Sequence, residues 1–338
     1  MNKENSLLDI RNLKTYFYTY KGVVKALEDV NLRIGANEIL GLVGETGCGK
    51  TVTGLSILRL IDSPGKIIGG EIVFGGEDLL KLSENEMSER IRGKKISMIF
   101  QEPRSSLNPT YTVGSQISEA IRLHQRVDKR EAMRRAVSIL RQTGMPDPER
   151  IAGEYPHELS GGMAQRAMIA MALSCDPELL IADEPTSSLD VTIEAQILEL
   201  IKDLISKFRA SVLLITHDLG IVAETCDKVA VMYAGNVIEY GDVRDIFKRH
   251  KHPYTEGLLN SVPKLKISGE LYTIEGTVPN LITPPTGCRF HPRCPEARKK
   301  CSELKPPNVE VEPGHFVSCF LYGDSKKVSN YDQVIDGS

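Results

Sequence analysis

The chain carries no surplus of basic charge. Its 338 residues include 42 Lys and Arg against 45 Asp and Glu, a formal net charge of -3. A protein that lives on nucleic-acid phosphates shows a basic excess, so no nucleic-acid partner is expected. No apolar run reaches the ~18–20 residues that cross a bilayer, so a membrane role has to come through a partner. Residues 1–14 lack the apolar stretch of a secretory signal, and the chain is expected in the cytoplasm. What is present is a hydrophobic fraction of 41%, enough for a full core. The length is too great for one minimal domain and short for three.

Strands and helices alternate along the first three quarters of the chain. Residues 7–34 read as β-rich. Residues 38–43 form a short apolar strand that runs into a glycine loop, and 51–60 read as a helix. Further apolar strands are predicted over 95–100, 179–182 and 212–216, with helical stretches between them such as 129–142, where apolar residues recur at helical spacing. This alternation implies an α/β fold with a parallel sheet covered on both faces. No internal repeat is present. The composition shifts near Pro253. Over 278–319 proline, glycine and cysteine become dense and apolar runs almost vanish. That tail is expected to be a separate unit, too small and polar to hold a core without a staple or a docking surface. Residues 324–338 are expected to be frayed.

Two motifs carry chemistry. Gly44, Glu45, Thr46, Gly47, Cys48, Gly49, Lys50 and Thr51 fit the pattern G-x-x-x-x-G-K-[ST], between a predicted strand and a predicted helix that continues with Val52. Glycines let backbone N–H groups turn inward around phosphate oxygens, and the helix N-terminus adds the positive end of its dipole. Lys50 would reach the β- and γ-phosphates and the Thr51 hydroxyl would bind Mg²⁺. An ordinary glycine-rich turn is the bland alternative, and the flanking strand and helix speak against it. The second motif is the apolar strand 179–182 ending in Asp183 and Glu184. Asp183 would hold Mg²⁺ through water, and Glu184 would orient and polarise an attacking water. Alone, such an end is as well read as a solvated acidic strand terminus; beside a phosphate loop it is not.

Leu159, Ser160, Gly161, Gly162 and Met163 lie between these motifs. With this string the chain resembles the ABC-transporter ATPase family, whose signature sequence it matches. The resemblance covers about residues 7–260. It implies a P-loop NTPase core of ABC type, with an antiparallel β subdomain and a helical subdomain over about 102–178, as a nucleotide-binding domain over 1–258. Other landmarks follow in family order. Gln101 resembles the Q-loop glutamine, which would also help hold Mg²⁺. Ser188, Leu189 and Asp190 resemble the D-loop, and His217 the switch histidine. Tyr20 is the first choice to stack on adenine, with Tyr16 and Tyr18 as alternatives. Thr46 and Cys48 stand where Ser is common, and Ala164 follows the signature. The resemblance further implies two such domains facing head to tail, each ATP held between one subunit's 44–51 loop and the other's Ser160, Gly161 and Gly162. Residues 102–121, with Pro103, Pro109 and Gly114, would couple to the membrane subunits.

Residues 259–338 resemble the C-terminal extension of oligopeptide/dipeptide-type permease ATPases. The resemblance rests on Gly276, Val278 and Pro279, on the run from Gly287 to Pro295, and on Cys301 and Cys319. Cys288, Cys294, Cys301 and Cys319 are separated by five, six and seventeen residues. Three readings compete for them: a [4Fe–4S] cluster, a structural Zn²⁺, or unmetallated thiols packed as small hydrophobes. Spacing does not decide: no C-x₂-C pair of the kind zinc ribbons favour occurs, and ferredoxin spacings do not match either, while the family resemblance leans to iron–sulfur. A cluster here would staple the tail, so replacing Cys294 with Ser is expected to loosen the tail and spare the ATPase core. The function implied is ATP hydrolysis that powers import of di- or oligopeptides. The implied partners are two transmembrane permease subunits, a second related ATPase in a heterodimer and, indirectly, an extracytoplasmic substrate-binding protein. The chain would sit peripherally on the cytoplasmic face of the membrane. Nickel, glutathione or an oligosaccharide are alternative solutes, and a soluble ABC ATPase outside transport is the alternative class.

Overall fold

A computed structural model describes residues 6–186, 191–208, 210–261 and 273–323. Their contacts group into two compact units. The first takes the described residues of 1–33, 40–80 and 216–338, and the second those of 34–39 and 81–215.

The first unit opens with a long hairpin, β1 (Ser6–Thr19) and β2 (Gly22–Gly35), turning at Tyr20 and Lys21. Leu8 and Ile10 are buried, and after an irregularity near Asn12, at φ 47°, Leu13 and Thr15 take over the inward face. One inserted residue thus shifts the period-two pattern without losing the core face. β4 (Gly65–Phe74) pairs antiparallel with β1, Leu8 opposite Phe74 and Ile10 opposite Ile72. With β5 (Glu77–Asp78) the order is β2-β1-β4-β5. A second sheet begins at β3 (Ile39–Val43), which leads through the glycine loop into α1 (Lys50–Ile57). β9 (Lys228–Tyr233) lies parallel to β3, and β10 (Asn236–Asp242) turns back antiparallel to β9. Helices α9 (Leu219–Thr225), α10 (Val243–Arg249) and α11 (Pro253–Asn260) belong to this unit.

The segment expected to lack a core extends this sheet. β11 (Asn308–Glu312) and β12 (His315–Ser318) form a hairpin, and β12 pairs antiparallel with β10, Tyr240 opposite Phe316. The order β11-β12-β10-β9-β3 places the C-terminal hairpin in the sheet that carries the glycine loop. Phe290, Val309, Phe316 and Val317 are buried, and α12 (Lys299–Glu303) lies between. Of the two needs read from the sequence, the docking surface is the one met here. The two compact units accordingly do not divide at 258/259: residues 273–323 share the unit of the glycine loop.

The second unit is built on β6 (Ile96–Ile99), β7 (Leu179–Asp183) and β8 (Ser211–Ile215), paired parallel in the order β8-β7-β6. Every residue of the three strands is buried, as expected of parallel strands covered on both faces. Its helices are α2 (Glu84–Glu86), α3 (Pro103–Ser106), α4 (Val113–Gln125), α5 (Lys129–Gln142), α6 (Pro148–Ile151), α7 (Gly161–Leu173) and α8 (Val191–Phe208). α4 buries Val113, Ile117 and Ile121, and α5 buries Ala132, Ala136, Ile139 and Leu140, stripes at helical spacing. Thr112 caps α4 and Asp128 caps α5, each accepting from a backbone N–H of the first turn. Among the described residues, no helix is long and apolar enough to cross a membrane.

Candidate functional site

In the first unit the glycine loop closes around its own lysine. Lys50 Nζ donates to the carbonyl oxygens of Gly44 at 2.7 Å and Glu45 at 3.2 Å, and the residue is 6% exposed. Gly44 has φ 151°, and a Cβ there would overlap the carbonyl oxygen of Met232 in β9. Only glycine lets the loop pass so close to the sheet. Gly235 N donates to Cys48 O at 2.7 Å, which holds the back of the loop. Cys48, where a serine is common, is buried, and burial pushes its thiol pKa up. Gly47, at φ 81°, faces open space. α1 then starts at Lys50 with no side-chain cap on its first amides, and Thr51 is exposed. An uncapped helix N-terminus behind a curled glycine loop is a cradle for an anion, and the donor set suits nucleotide phosphates. Val52 continues the first turn of α1.

Tyr20, at the hairpin turn, is 93% exposed, with Lys21 Nζ 5.5 Å from its ring centre. Tyr18 is half exposed near Lys66, and Tyr16 donates its hydroxyl to Glu28 at 2.7 Å. Burial, then that hydrogen bond, push the Tyr16 pKa up to about 12. Of the three rings, Tyr20 is the one left uncovered. His217 follows the strand-end Thr216 and is exposed, and Asp218 caps α9 through the N–H groups of Gly220 and Ile221.

In the second unit β7 delivers Asp183, which is 2% exposed, and Glu184 just beyond it. Glu184 sits at φ 43°, its N–H donating to Ile215 O at 2.8 Å, so the chain turns sharply at the strand end. Gln101, just past β6, donates from Nε2 to Glu184 Oε2 at 2.9 Å. The structure thus brings Gln101 and Glu184 together across 83 residues of sequence. Ser160 caps α7 by accepting from Met163 N at 3.4 Å, and Gly161 and Gly162 form its first turn. Two residues not singled out in the sequence tie these parts to one another. Gln165, 1% exposed, donates to Pro185 O at 2.6 Å, joining α7 to the segment after the carboxylates. Arg104 donates to Leu159 O at 3.1 Å, joining the segment after Gln101 to the residue before Ser160. Ser188, Leu189 and Asp190 lie outside the described residues.

A third residue missed in the sequence is Arg293. Its guanidinium makes two bonds to the Glu45 carboxylate, at 2.7 and 3.0 Å. These hydrogen bonds raise its pKa further above the ordinary arginine value and hold it charged. The only signal for it lay in its neighbours, Pro292 and Cys294; its partner is 248 residues away.

Comparison with known proteins bears on both parts of the chain. Residues 27–187 match the family described as ABC transporter, and residues 238–301 match the oligopeptide/dipeptide transporter C-terminal region. The chain is similar to a probable peptide ABC transporter ATP-binding protein of Sinorhizobium fredii. They share 53% identity over 94% of this chain and 96% of the relative. It is 49% identical to the dipeptide transport ATP-binding protein DppD of Bacillus subtilis, over 93% of this chain and 94% of the relative. Among solved structures, the ATP-binding cassette MJ0796 is similar with a TM-score of 0.63 and 26% identity. That structure, a dimer in a post-hydrolysis state bound to ADP and Pi, covers 70% of this chain and 99% of its own.

The iron–sulfur expectation is corrected by these findings. The descriptions of the relatives name ATP binding and transport alone, with no iron–sulfur centre. Cys288, Cys294, Cys301 and Cys319 do line one small cavity with His252 and Phe290. Burial pushes the Cys288 and Cys294 thiols up to about 11 and raises Cys319, which favours the protonated thiol. Among the described residues, the one set of three ligand atoms within 4.8 Å of one another is Asp245, Glu312 and His315, with no cysteine in it. That set is already ion-paired, Asp245 with Arg249, and Glu312 with Arg249 and Lys251. The four cysteines are half-buried thiols around that cavity.

Proposed function

The chain belongs to the ABC transporter family of ATP-binding proteins, and from that premise we propose that it powers the import of di- or oligopeptides through a membrane permease. As a member it is an ABC-type ATPase that uses ATP and Mg²⁺. The observation that carries the peptide reading is the likeness over nearly the whole chain, tail included, to peptide-transport ATP-binding proteins.

In this reading the backbone amides of residues 44–51 and the Lys50 ammonium hold the phosphates. Gly47, facing open space, and the uncapped start of α1 suit that task. Thr51, Asp183 and Gln101 hold Mg²⁺, and Tyr20 offers its uncovered ring to the adenine. ATP supplies the phosphoryl group whose transfer to water releases the energy for transport. Glu184 orients the attacking water and takes part of its proton's charge. Gln101 holds the Glu184 carboxylate before that water is in place, and His217 supports the γ-phosphate side of the site. Ser160, Gly161 and Gly162 point a capped but otherwise open helix start at the phosphate held by a second ATPase subunit. The dimeric state of MJ0796 supports a paired arrangement. Residues 102–121 face the permease subunits, which receive peptide from a binding protein outside the membrane, and the chain works at the cytoplasmic face. The sequence division at 258/259 then separates the family's ATPase portion from its peptide-type extension.

Substitution at Glu184 tests the chemistry. The Glu184→Gln variant is expected to bind ATP within about threefold of wild type and to release phosphate at least ~100-fold more slowly. Hydrolysis at the wild-type rate would remove Glu184 from its role.

A further inference from the structure

We propose that Arg293, carried by the C-terminal segment, is a positioning residue for the phosphate loop: it pairs with the Glu45 carboxylate and cancels a negative charge that would otherwise oppose the incoming nucleotide. The proposal rests on the reading of residues 44–51 as the phosphate site.

Glu45 is the second residue of the loop, and every polar group it owns is committed. Its carbonyl oxygen accepts from Lys50 Nζ at 3.2 Å, and its N–H donates to the Tyr254 hydroxyl at 3.0 Å. Its carboxylate takes both bonds from Arg293. The Arg293 side chain is 6% exposed and equally committed. It also donates to the carbonyl oxygens of Glu275 at 2.9 Å and Ile274 at 3.2 Å, and its guanidinium lies 5.7 Å from the Tyr233 ring centre. A planar fork locked on five sides is rigid, so it fixes the carboxylate it grips.

The segment around it is anchored independently. Phe290, 2% exposed, packs against Tyr233, Tyr254 and His252 with ring centres 5.1, 5.3 and 5.6 Å away. Arg289 donates to Ala234 O and to Lys25 O. The same two tyrosines therefore touch Phe290 on one side and meet Glu45 or Arg293 on the other. The C-terminal segment is thus built onto the loop that binds phosphate, not onto a remote face of the unit. A carboxylate in a loop that must receive a triphosphate is electrostatically misplaced unless a fixed cation stands against it. Arg293 is that cation, and its other bonds keep it from swinging to the nucleotide itself.

The sign of the effect separates this role from a merely structural one. If Arg293 acts by masking charge, the harm of removing it comes from the bare carboxylate, and removing the carboxylate too undoes the harm. The experiment measures Kd for ATP and for ADP with the full chain, alongside thermal melting. Arg293→Ala is expected to weaken ATP about tenfold, and ADP less because it carries one charge fewer. The double variant Arg293→Ala/Glu45→Gln is expected to bind ATP as Glu45→Gln alone does, recovering most of the tenfold lost in Arg293→Ala. A double variant as weak as Arg293→Ala, or an Arg293→Ala variant that melts lower but binds ATP within about twofold, overturns the proposal. Should Arg293→Ala not fold, Arg293→Gln takes its place, since it keeps a donor for the 274 and 275 carbonyls and loses the charge. A wild-type chain that bound no ATP would instead overturn the phosphate-site reading beneath the proposal.

Discussion

Lys50 and His252 show two ways in which one side chain decides behaviour. Lys50 is the ammonium around which the glycine loop curls, and in the proposed site its charge is the counterpart of the phosphates. Lys50→Ala is expected to lower the rate of phosphate release at least ~100-fold, and to weaken ATP binding measured with a fluorescent analogue. His252 is buried, and its Nδ1 accepts from Tyr254 N at 3.0 Å at the start of α11. Burial holds its pKa down to about 4, well below the ordinary 6.5. The unfolded chain therefore binds more protons than the folded one between those values, and stability falls as pH drops from about 6.5 to about 4, by roughly 3 kcal/mol for this group. Glu239 acts in the same direction at the lower end. Burial alone would raise its pKa, but hydrogen bonds from His315 and from the amides of His252 and Lys251 outweigh this and hold it below the carboxylate range. Its stabilising share is present above pH ~4.5 and lost as pH falls through the lowered value. Denaturant titrations across pH 4–7 are expected to show this slope, and His252→Asn, which keeps an acceptor for Tyr254 N, is expected to flatten it. The glycine loop between β3 and α1 was legible because its spacing is local and chemically stereotyped. Arg293 and Gln165 were not, because each acts on a partner, Glu45 or Pro185, that lies far along the chain and leaves no periodic trace.

Elements were read well wherever apolar pattern and length agreed. The strand predicted over 95–100 appears as β6 and that over 212–216 as β8, while α5 occupies the very residues 129–142. Asp128 caps that helix, so Asp128→Ala is expected to cost about 1 kcal/mol in a urea titration. The C-terminal hairpin escaped because β11 and β12 are four or five residues long and their apolar residues are too few to form a run. They join the sheet through β12, which pairs with β10, while β11 pairs with β12. Phe290 illustrates the same logic as a single ring inserted among Tyr233, Tyr254 and His252. Phe290→Ala is expected to destabilise the first unit by about 3–5 kcal/mol, read as a lower denaturation midpoint. The same segment bears on Cys294. The sequence suggested that loosening it would spare ATP hydrolysis, but its neighbour Arg293 holds the phosphate loop. Any substitution that releases residues 288–294 is expected to raise the KM for ATP.

For the whole molecule, the peptide assignment comes from likeness over nearly the full chain to peptide-transport ATP-binding proteins. In the proposed function the choice of cargo lies with the permease and binding protein, and this chain supplies the energy. The measurement that tests it most directly is uptake of a labelled dipeptide or tripeptide into vesicles holding the assembled permease, with this chain either wild type or Glu184→Gln. The account predicts ATP-dependent accumulation of peptide and peptide-stimulated phosphate release with the wild-type chain, and neither with the variant. Phosphate release that ignored peptide but rose with nickel, glutathione or an oligosaccharide, or uptake that persisted with Glu184→Gln, would contradict it.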